Sequence, residues 1–360
     1  MSKKICINKK NVLILLLIAL FISIMTFSSS YLLGKKTTYQ SKAAPPQNNP
    51  KIYGGTEVTD LTKWPFIVRL FEIHDFLGKK FGSPSSSGYC DGTIVAKQWV
   101  LTAAHCVIKR KTSNIGIYIG SIDLHGANGN AQTIYINDIL IHPYYNADKN
   151  ENDIALIKLS KEIDLPIEPV SLNSDITKER DGQVGVIIGW GLIEDEARTS
   201  ILREGIIPIL DKSRTLKWDQ RYLNSIFSST IVAGYPNGGA GICNGDSGGP
   251  LLVWSGMRWL QVGVVSGTTY GSYYKGEPTC GAKHKPGIFT RISYIGTDTQ
   301  NNAVNYMRWI TENIGERTDY FIGTQLTPTE KTEYYNRICD PQEWDNKLPP
   351  VCPLNIYHGP

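Results

Sequence analysis

Short apolar and alternating runs, separated by turn-forming residues, are the feature that most constrains what this chain can fold into. They include FIVRLFEI from 66, IGIYIG from 115, TIYINDIL from 133, DIALIKL from 153, VGVIIGWG from 184 and WLQVGVVSG from 259. Many short strands punctuated by Gly, Asn, Asp and Pro are typical of an all-β barrel or sandwich. The clearest helix pattern is NAVNYMRWITENI at 302–314, whose apolar residues lie three or four apart. We predict an all-β domain that this helix closes.

The amino-terminal residues differ in character from the rest of the chain. Four lysines precede the apolar run VLILLLIALFISIMTF at 12–27, a pattern typical of a secretory signal peptide. Counted through Leu33, the stretch is 22 residues long, which is also enough for an uncleaved anchor across a bilayer. Either way, the flanking lysines favour a cytoplasmic amino terminus. We predict a signal peptide or signal anchor over 1–34 and a polar, Pro-containing linker or propeptide over 35–51.

The distribution of charge argues against one class of function. The formal net charge is +4, but residues 1–51 contain eight lysines and no acidic residue. Of the 37 basic residues, 29 follow residue 51, against 33 acidic ones. The slight excess of acidic residues beyond residue 51 argues against a nucleic-acid partner.

The cysteines indicate an oxidising compartment. Cys6 precedes the apolar run, which leaves an even set of six beyond it: Cys90, Cys106, Cys243, Cys280, Cys339 and Cys352. Six cysteines suit three disulfides in a secreted, periplasmic or extracellular protein, membrane-anchored only if the amino-terminal segment stays uncleaved. They show no CxxC pair and no His/Cys ligand spacing, so we expect no metal. Cys339 and Cys352 lie in the tail at 316–360, which we predict to be a small extension with its own disulfide.

Three separate segments carry the residue types needed for nucleophilic catalysis. LTAAHC contains His105, NDIALIKL contains Asp153, and GICNGDSGGP contains Ser247. Each is weak alone, but their order along the chain matches a known serine-nucleophile arrangement. A serine hydroxyl is a poor nucleophile until an imidazole removes its proton, and a buried carboxylate must orient that imidazole. We predict that Ser247 attacks, His105 acts as base and then acid, and Asp153 orients His105.

The glycines around Ser247 suit an oxyanion site. Without side chains, they let backbone N–H groups approach the negative charge that develops in the transition state. By position, we expect the N–H groups of Gly245 and Ser247 to be the donors. This chemistry needs no cofactor, and none is predicted.

Together with GWG at 189–191 and PGIFTRI at 286–292, these segments resemble the trypsin/chymotrypsin family of serine peptidases. The matches run from Ile52 to the helix at 302–314, which implies a peptidase domain over 52–315 acting on protein or peptide substrates. The resemblance implies an all-β fold of two six-stranded antiparallel β-barrels with a C-terminal helix, and a triad in the cleft between the barrels. It also implies disulfides Cys90–Cys106 and Cys243–Cys280, which leaves Cys339 with Cys352.

KIYGG at 51–55 looks like the activation site of the same family. Cleavage after Lys51 by an activating protease would free the amino group of Ile52. The resemblance implies that this new ammonium pairs with Asp246, beside the nucleophile. We therefore expect an inactive zymogen before cleavage.

The resemblance also identifies the residues that line the specificity pocket. They are Gly241, Ile242, Ser266, Gly267, Thr268 and Gly287. Trypsin-like members bind Lys or Arg through an Asp six residues before the nucleophile, where this chain has Gly241. Thr268 stands where a Gly usually leaves the pocket mouth open, so small or medium aliphatic residues are expected at the cleaved position. Gly267, where the family usually has a Trp, departs from the pattern on which this preference rests. Lys283, His284 and Lys285, near the far side of the pocket, leave a preference for acidic residues open.

Two rival interpretations use the same residues. GDSGG also fits the G-x-S-x-G pattern of an α/β-hydrolase, with Asp298 and His358 following Ser247 in the required order. That fold needs alternating strands and helices, and it leaves TAAHC and DIAL unexplained. The second alternative is a non-catalytic, peptidase-fold binding protein.

Overall fold

The computed structural model describes most of residues 55–315. The described ranges are 55–76, 79–126, 131–193, 198–218, 226–256, 258–268, 273–274, 277–278 and 280–315. The predicted signal or anchor segment, the linker with Lys51 and Ile52, and the tail with Cys339 and Cys352 lie outside them. Within the described ranges, no helix has the length and apolar character needed to span a membrane.

The amino-terminal half forms a closed antiparallel barrel in the order β2-β5-β6-β9-β8-β7. Its strands are β2 (Ile67–Glu72), β5 (Gly88–Ala96), β6 (Trp99–Thr102), β7 (Ile115–Ile119), β8 (Gln132–Ile141) and β9 (Ala155–Leu159). A side hairpin of β3 (His74–Phe76) and β4 (Lys79–Phe81) follows β2. Ile, Val and Leu dominate these strands because β-branched and apolar side chains fill the interior of a small barrel.

The carboxy-terminal half forms a second six-stranded antiparallel barrel, closed by the pairing of β12 with β13. Its strands are β11 (Val184–Gly189), β12 (Arg203–Leu210), β13 (Thr230–Ala233), β14 (Pro250–Trp254), β15 (Trp259–Gly267) and β18 (Gly287–Arg291). Two short strands join its outside: β1 (Thr56–Glu57) pairs with β12, and β10 (Ser171–Leu172) runs parallel to β15. The prediction of two six-stranded barrels is confirmed. This architecture excludes the α/β-hydrolase alternative.

Two small hairpins, four short α-helices and three 3-10 helices complete the described chain, the 3-10 helices at Leu61–Lys63, Thr112–Asn114 and Ile176–Lys178. The hairpins are β16 (Tyr273–Tyr274) with β17 (Glu277–Pro278), and β19 (Ile295–Thr297) with β20 (Ala303–Asn305). The helices are α1 (Pro84–Ser87), α2 (Ala104–Val107), α3 (Lys212–Trp218) and α4 (Tyr306–Ile314).

Helix α4 confirms the predicted closing helix but begins four residues later than the pattern indicated. Asn305 caps it, since its side chain accepts a hydrogen bond from the N–H of Arg308. Val304, the first apolar residue of the three-to-four spacing, is buried, but it lies on strand β20, where it pairs with Gly296. A single apolar residue just before a helix cap fits a helix and a strand equally well. Here, pairing with β19 makes this segment a strand. Gly315 ends the helix in the left-handed region, with φ of 68°.

Candidate active site

His105 and Asp153 come together because of strand register. Thr102 pairs with Ala155 at the end of the antiparallel β6–β9 ladder. The residues that follow Thr102 and those that precede Ala155 therefore emerge side by side. His105 lies on helix α2, shortly after Thr102. Asp153 lies two residues before Ala155. Nδ1 of His105 lies 2.7 Å from Oδ2 of Asp153.

The carboxylate of Asp153 is fully buried and held on both oxygens. Oδ1 accepts the backbone N–H of His105 at 2.9 Å, and Oδ2 also accepts the hydroxyl of Ser266 at 2.6 Å. Burial lowers the pKa of His105, but the charge and hydrogen bond of Asp153 outweigh burial, and the pKa ends above its usual value. The arrangement orients the imidazole, and a neutral His105 that donates from Nδ1 to this carboxylate can accept a proton on Nε2.

Two residues close to the end of the described part of the chain, Asp298 and Tyr306, hold the segment before Asp153. The side-chain amide of Asn152 donates to Tyr144 O at 2.8 Å and to Asp298 Oδ2 at 3.2 Å. The hydroxyl of Tyr306, at the start of α4, donates to Asn152 Oδ1 at 2.7 Å. The turn that presents Asp153 is therefore anchored by the β19–β20 hairpin and by α4.

Ser247 lies in a tight loop that packs on the segment leading to His105. A Cβ added to Gly248 would lie 2.2 Å from Thr102 Oγ1 and 3.2 Å from the backbone N of Ala103, so only glycine fits there. The Gly248 N–H donates to Val265 O at 2.8 Å, and the carbonyl of Ser247 accepts the Asp91 N–H at 2.7 Å. The loop is thus fixed against both barrels, and His105 and Ser247 are carried by segments in contact.

The peptide group between Asn244 and Gly245 is oriented by a hydrogen bond on its carbonyl side. Asn244 O accepts the Leu192 N–H at 2.8 Å. Because a trans peptide points its C=O and N–H in opposite directions, the Gly245 N–H faces away from Leu192. Gly245 has φ of 102°, which favours glycine, and its own carbonyl accepts a hydrogen bond from Arg69 Nη1 at 2.7 Å. These contacts suit an N–H held ready for an anionic oxygen.

Asp246 is buried without an ion pair among the described residues. Its Oδ1 accepts the Gly191 N–H and its Oδ2 the Cys243 N–H, both at 2.8 Å. Burial first, then the charge of nearby Asp91, raises the pKa of Asp246 to about 7, although the two N–H donors lower it. A carboxyl group in these surroundings would ionise more readily beside a cation.

The residues predicted to line the specificity pocket include close neighbours. A Cβ on Gly287 would lie 2.9 Å from Cγ1 of the buried Ile242, so Ile242 packs directly on Gly287. A Cβ on Gly241 would lie 2.9 Å from the backbone N of Gly281. Ser266 and Gly267 end β15, and Thr268 follows, half-buried.

Two disulfides stabilise the loops around these residues. Cys90 is bonded to Cys106 and Cys243 to Cys280, with Cα–Cα distances of 6.2 and 5.1 Å. Cys90, His105 and Cys106 lie within metal-ligand distance of one another, but the disulfide removes the thiolates that a metal would need.

The sequence analysis missed the roles of two side chains of this site. One is Ser266, which is a hydrogen-bond partner of Asp153, and the other is Arg69. Ser266 was expected only to line the pocket. Arg69 sits 22 residues before Asp91 and 176 before Gly245, and it contacts both. The only signal was a charged residue within the apolar run FIVRLFEI.

This chain has two six-stranded barrels, and a hydrogen-bonded histidine–aspartate pair lies near a serine in a glycine-rich loop. These features are those of the serine peptidases with two β-barrels. A family model, Trypsin, matches residues 52–297. The chain belongs to the trypsin/chymotrypsin-like family of serine peptidases. This membership and the two disulfides fit an extracellular protein.

Proposed function

We propose that this protein is an exported serine endopeptidase that cleaves protein or peptide substrates through an acyl-enzyme. The observation that carries the proposal is the His105–Asp153 hydrogen bond of 2.7 Å, with the carboxylate fully buried, on a segment packed against the Ser247 loop. A buried, oriented carboxylate–imidazole pair is what a serine nucleophile requires.

The proposed reaction has two halves. Ser247 Oγ attacks the carbonyl carbon of the scissile bond while His105 Nε2 takes the hydroxyl proton. The oxygen of the tetrahedral intermediate accepts the N–H groups of Gly245 and Ser247. When the C–N bond breaks, His105 returns the proton to the leaving amine. A water molecule, deprotonated by His105 Nε2, then attacks the carbonyl carbon of the ester. The ester C–O bond breaks, His105 returns the proton to Ser247 Oγ, and the product leaves as a carboxylic acid, while Asp153 holds the His105 Nδ1 proton in place.

Cleavage after small or medium aliphatic residues is proposed for the pocket. Ile242 packed on Gly287 supports an apolar floor, and Gly241 offers no charge to a basic side chain. The protein, cut after Lys51 and incubated with a diverse peptide library, is expected to cleave after residues such as Ala, Val and Thr. Mass spectrometry maps the cut sites. Ser247→Ala, prepared in the same way, is the control for contaminating proteases.

Other cut sites would correct the pocket assignment alone. Cleavage mainly after Lys or Arg would contradict the role given to Gly241. Cleavage after Asp or Glu would favour Lys283, His284 and Lys285 as determinants. If the protein cleaves nothing and its Ser247 takes up no fluorophosphonate, the alternative of a non-catalytic, peptidase-fold binding protein would replace the endopeptidase.

Activation by cleavage after Lys51 is part of the proposal. The ammonium of Ile52 would then pair with Asp246, whose buried carboxyl has only N–H partners in the uncleaved chain as described. A buried charge that gains a partner is strongly favoured over one without. We infer that the Gly245–Ser247 loop reaches its most stable form only after this cleavage, which another protease performs.

The Lys51→Gln precursor is expected to stay at least about 100-fold less active than the cleaved enzyme, because the Gly245–Ser247 loop is less stable in the described form without the Ile52 ammonium, and losing one oxyanion donor costs about that much. Initial rates on the best library peptide, before and after treatment with a protease specific for basic residues, measure the difference. Lys51→Arg is the matched control, because the same protease still cuts it. A precursor verified as uncleaved but fully active would refute zymogen activation.

A further inference from the structure

A buried ion pair connects the first barrel to the loop that carries Gly245. Arg69 of β2 and Asp91 of β5 are direct partners in the antiparallel ladder, so their side chains share a face. Arg69 Nη1 lies 2.8 Å from Asp91 Oδ1, with side chains 5% and 0% exposed. Gly88 leaves room for the guanidinium, since a Cβ there would lie 2.4 Å from Arg69 Nε.

The pair also bonds to the segments around the Gly245 N–H. The same Arg69 Nη1 donates to Gly245 O at 2.7 Å. The backbone N–H of Asp91 donates to Ser247 O at 2.7 Å, and its Oδ2 accepts the Trp190 N–H at 3.0 Å. Since Leu192 holds Asn244 O, the carbonyls on both sides of the Gly245 N–H are fixed.

A role in stability alone does not account for this arrangement. A buried ion pair is usually no more stabilising than well-packed apolar residues of similar volume, because desolvation offsets the attraction. What the pair provides is direction. One of the guanidinium nitrogens, Nη1 of Arg69, donates to both Asp91 Oδ1 and Gly245 O, and so fixes these two oxygens relative to one another across the boundary between the barrels.

We propose that Arg69 and Asp91 are positioning residues that hold the Gly245 N–H towards the oxyanion of the reaction. The inference rests on the proposed peptidase function. Neither side chain touches the reacting atoms, and both act through the backbone of Gly245 and Ser247. Their removal should therefore weaken binding of the transition state more than binding of the substrate.

The test is the double variant Arg69→Met with Asp91→Asn, which removes both charges and leaves neither one buried and unpaired. The matched control is Arg291→Met with Glu179→Gln. That pair is also largely buried, with Nε and Oε2 3.2 Å apart, and it lies beside Asn173, whose side-chain amide donates to Glu179 Oε1. Arg69→Lys tests rescue, because an ammonium can also donate to two acceptors.

Three quantities are measured on protein cut after Lys51, using the best library peptide. Fluorophosphonate labelling counts the active sites, steady-state kinetics gives kcat per labelled site and KM, and a peptide boronic acid of the same sequence mimics the tetrahedral intermediate. We expect kcat of the double variant to fall by about 10- to 100-fold, with KM within about threefold. The boronic acid should bind more weakly by the same factor as kcat, Arg69→Lys should recover most of the loss, and the control variant should match the wild type.

The outcomes separate the two proposals. A double variant with wild-type kcat per labelled site and wild-type boronic-acid affinity would overturn the positioning role, even if fewer molecules were active. A wild-type protein that neither hydrolyses peptides nor is labelled would refute the peptidase function itself.

Discussion

Replacing Ser247 by alanine is expected to lower kcat by about a millionfold, and adding His105→Ala should lower it little further. Once the nucleophile is absent, the base has no proton to remove, so the residues of the triad act as a unit. Rates of peptide hydrolysis by the two single variants and the double variant, all cut after Lys51, measure this non-additivity.

The matched control for this experiment is Ser113→Ala, at an exposed serine whose hydroxyl donates to the side chain of its neighbour Asn114. It should keep wild-type activity. If Ser247→Ala retained more than about a thousandth of the wild-type kcat, or if the losses simply multiplied in the double variant, the assigned roles would be wrong.

Replacing Asp153 by asparagine is expected to lower kcat by about 10,000-fold while the fold is retained. The amide has the shape of the carboxylate, but it cannot accept hydrogen bonds from His105 Nδ1, the His105 backbone and Ser266 at the same positions. If its NH2 group faces Nδ1, the imidazole must carry its proton on Nε2, and the base is lost. The imidazolium that forms during the reaction also loses its counter-charge.

The pH dependence gives this prediction a second measurement. In the wild type, activity should rise with pH as His105 deprotonates, with a midpoint above the usual histidine value, because Asp153 raises the pKa of His105. In Asp153→Asn, that midpoint should move to lower pH. Ser266→Ala, which removes one hydrogen bond to the carboxylate and keeps its charge, should cost far less activity. An unchanged midpoint in Asp153→Asn would show that the two side chains do not interact as described.

The sequence predicted those parts of the molecule that depend on local pattern. The apolar runs that start at 66, 115, 133, 153, 184 and 259 each overlap one of the barrel strands. The family resemblance then implied the two barrels and both disulfides described. Helix α4 was found, but its start was not, because Val304 fits helical spacing and a strand equally well. The spacing of apolar residues in one segment does not show which strand that segment pairs with.

The contacts around Gly245 could not be predicted for a related reason. Nothing in the sequence pattern links Asp91 to Arg69, which is one charged residue within the apolar run FIVRLFEI. Their pairing depends on the register of β2 with β5, and the contact of Arg69 with Gly245 on how two barrels meet. Both are set by tertiary packing rather than by neighbours in the chain.

The anchoring of Asn152 by Asp298 and Tyr306 has a consequence for the order in which the protein is made. The turn that presents Asp153 belongs to the first half of the chain, but two of its anchors are synthesised about 150 residues later. During synthesis, therefore, the first barrel can close while this turn still lacks them. The growing chain can form both of these contacts to Asn152 only after helix α4 has been synthesised. A product terminated between Ser247 and Asp298 would therefore contain His105, Asp153 and Ser247 but lack both contacts.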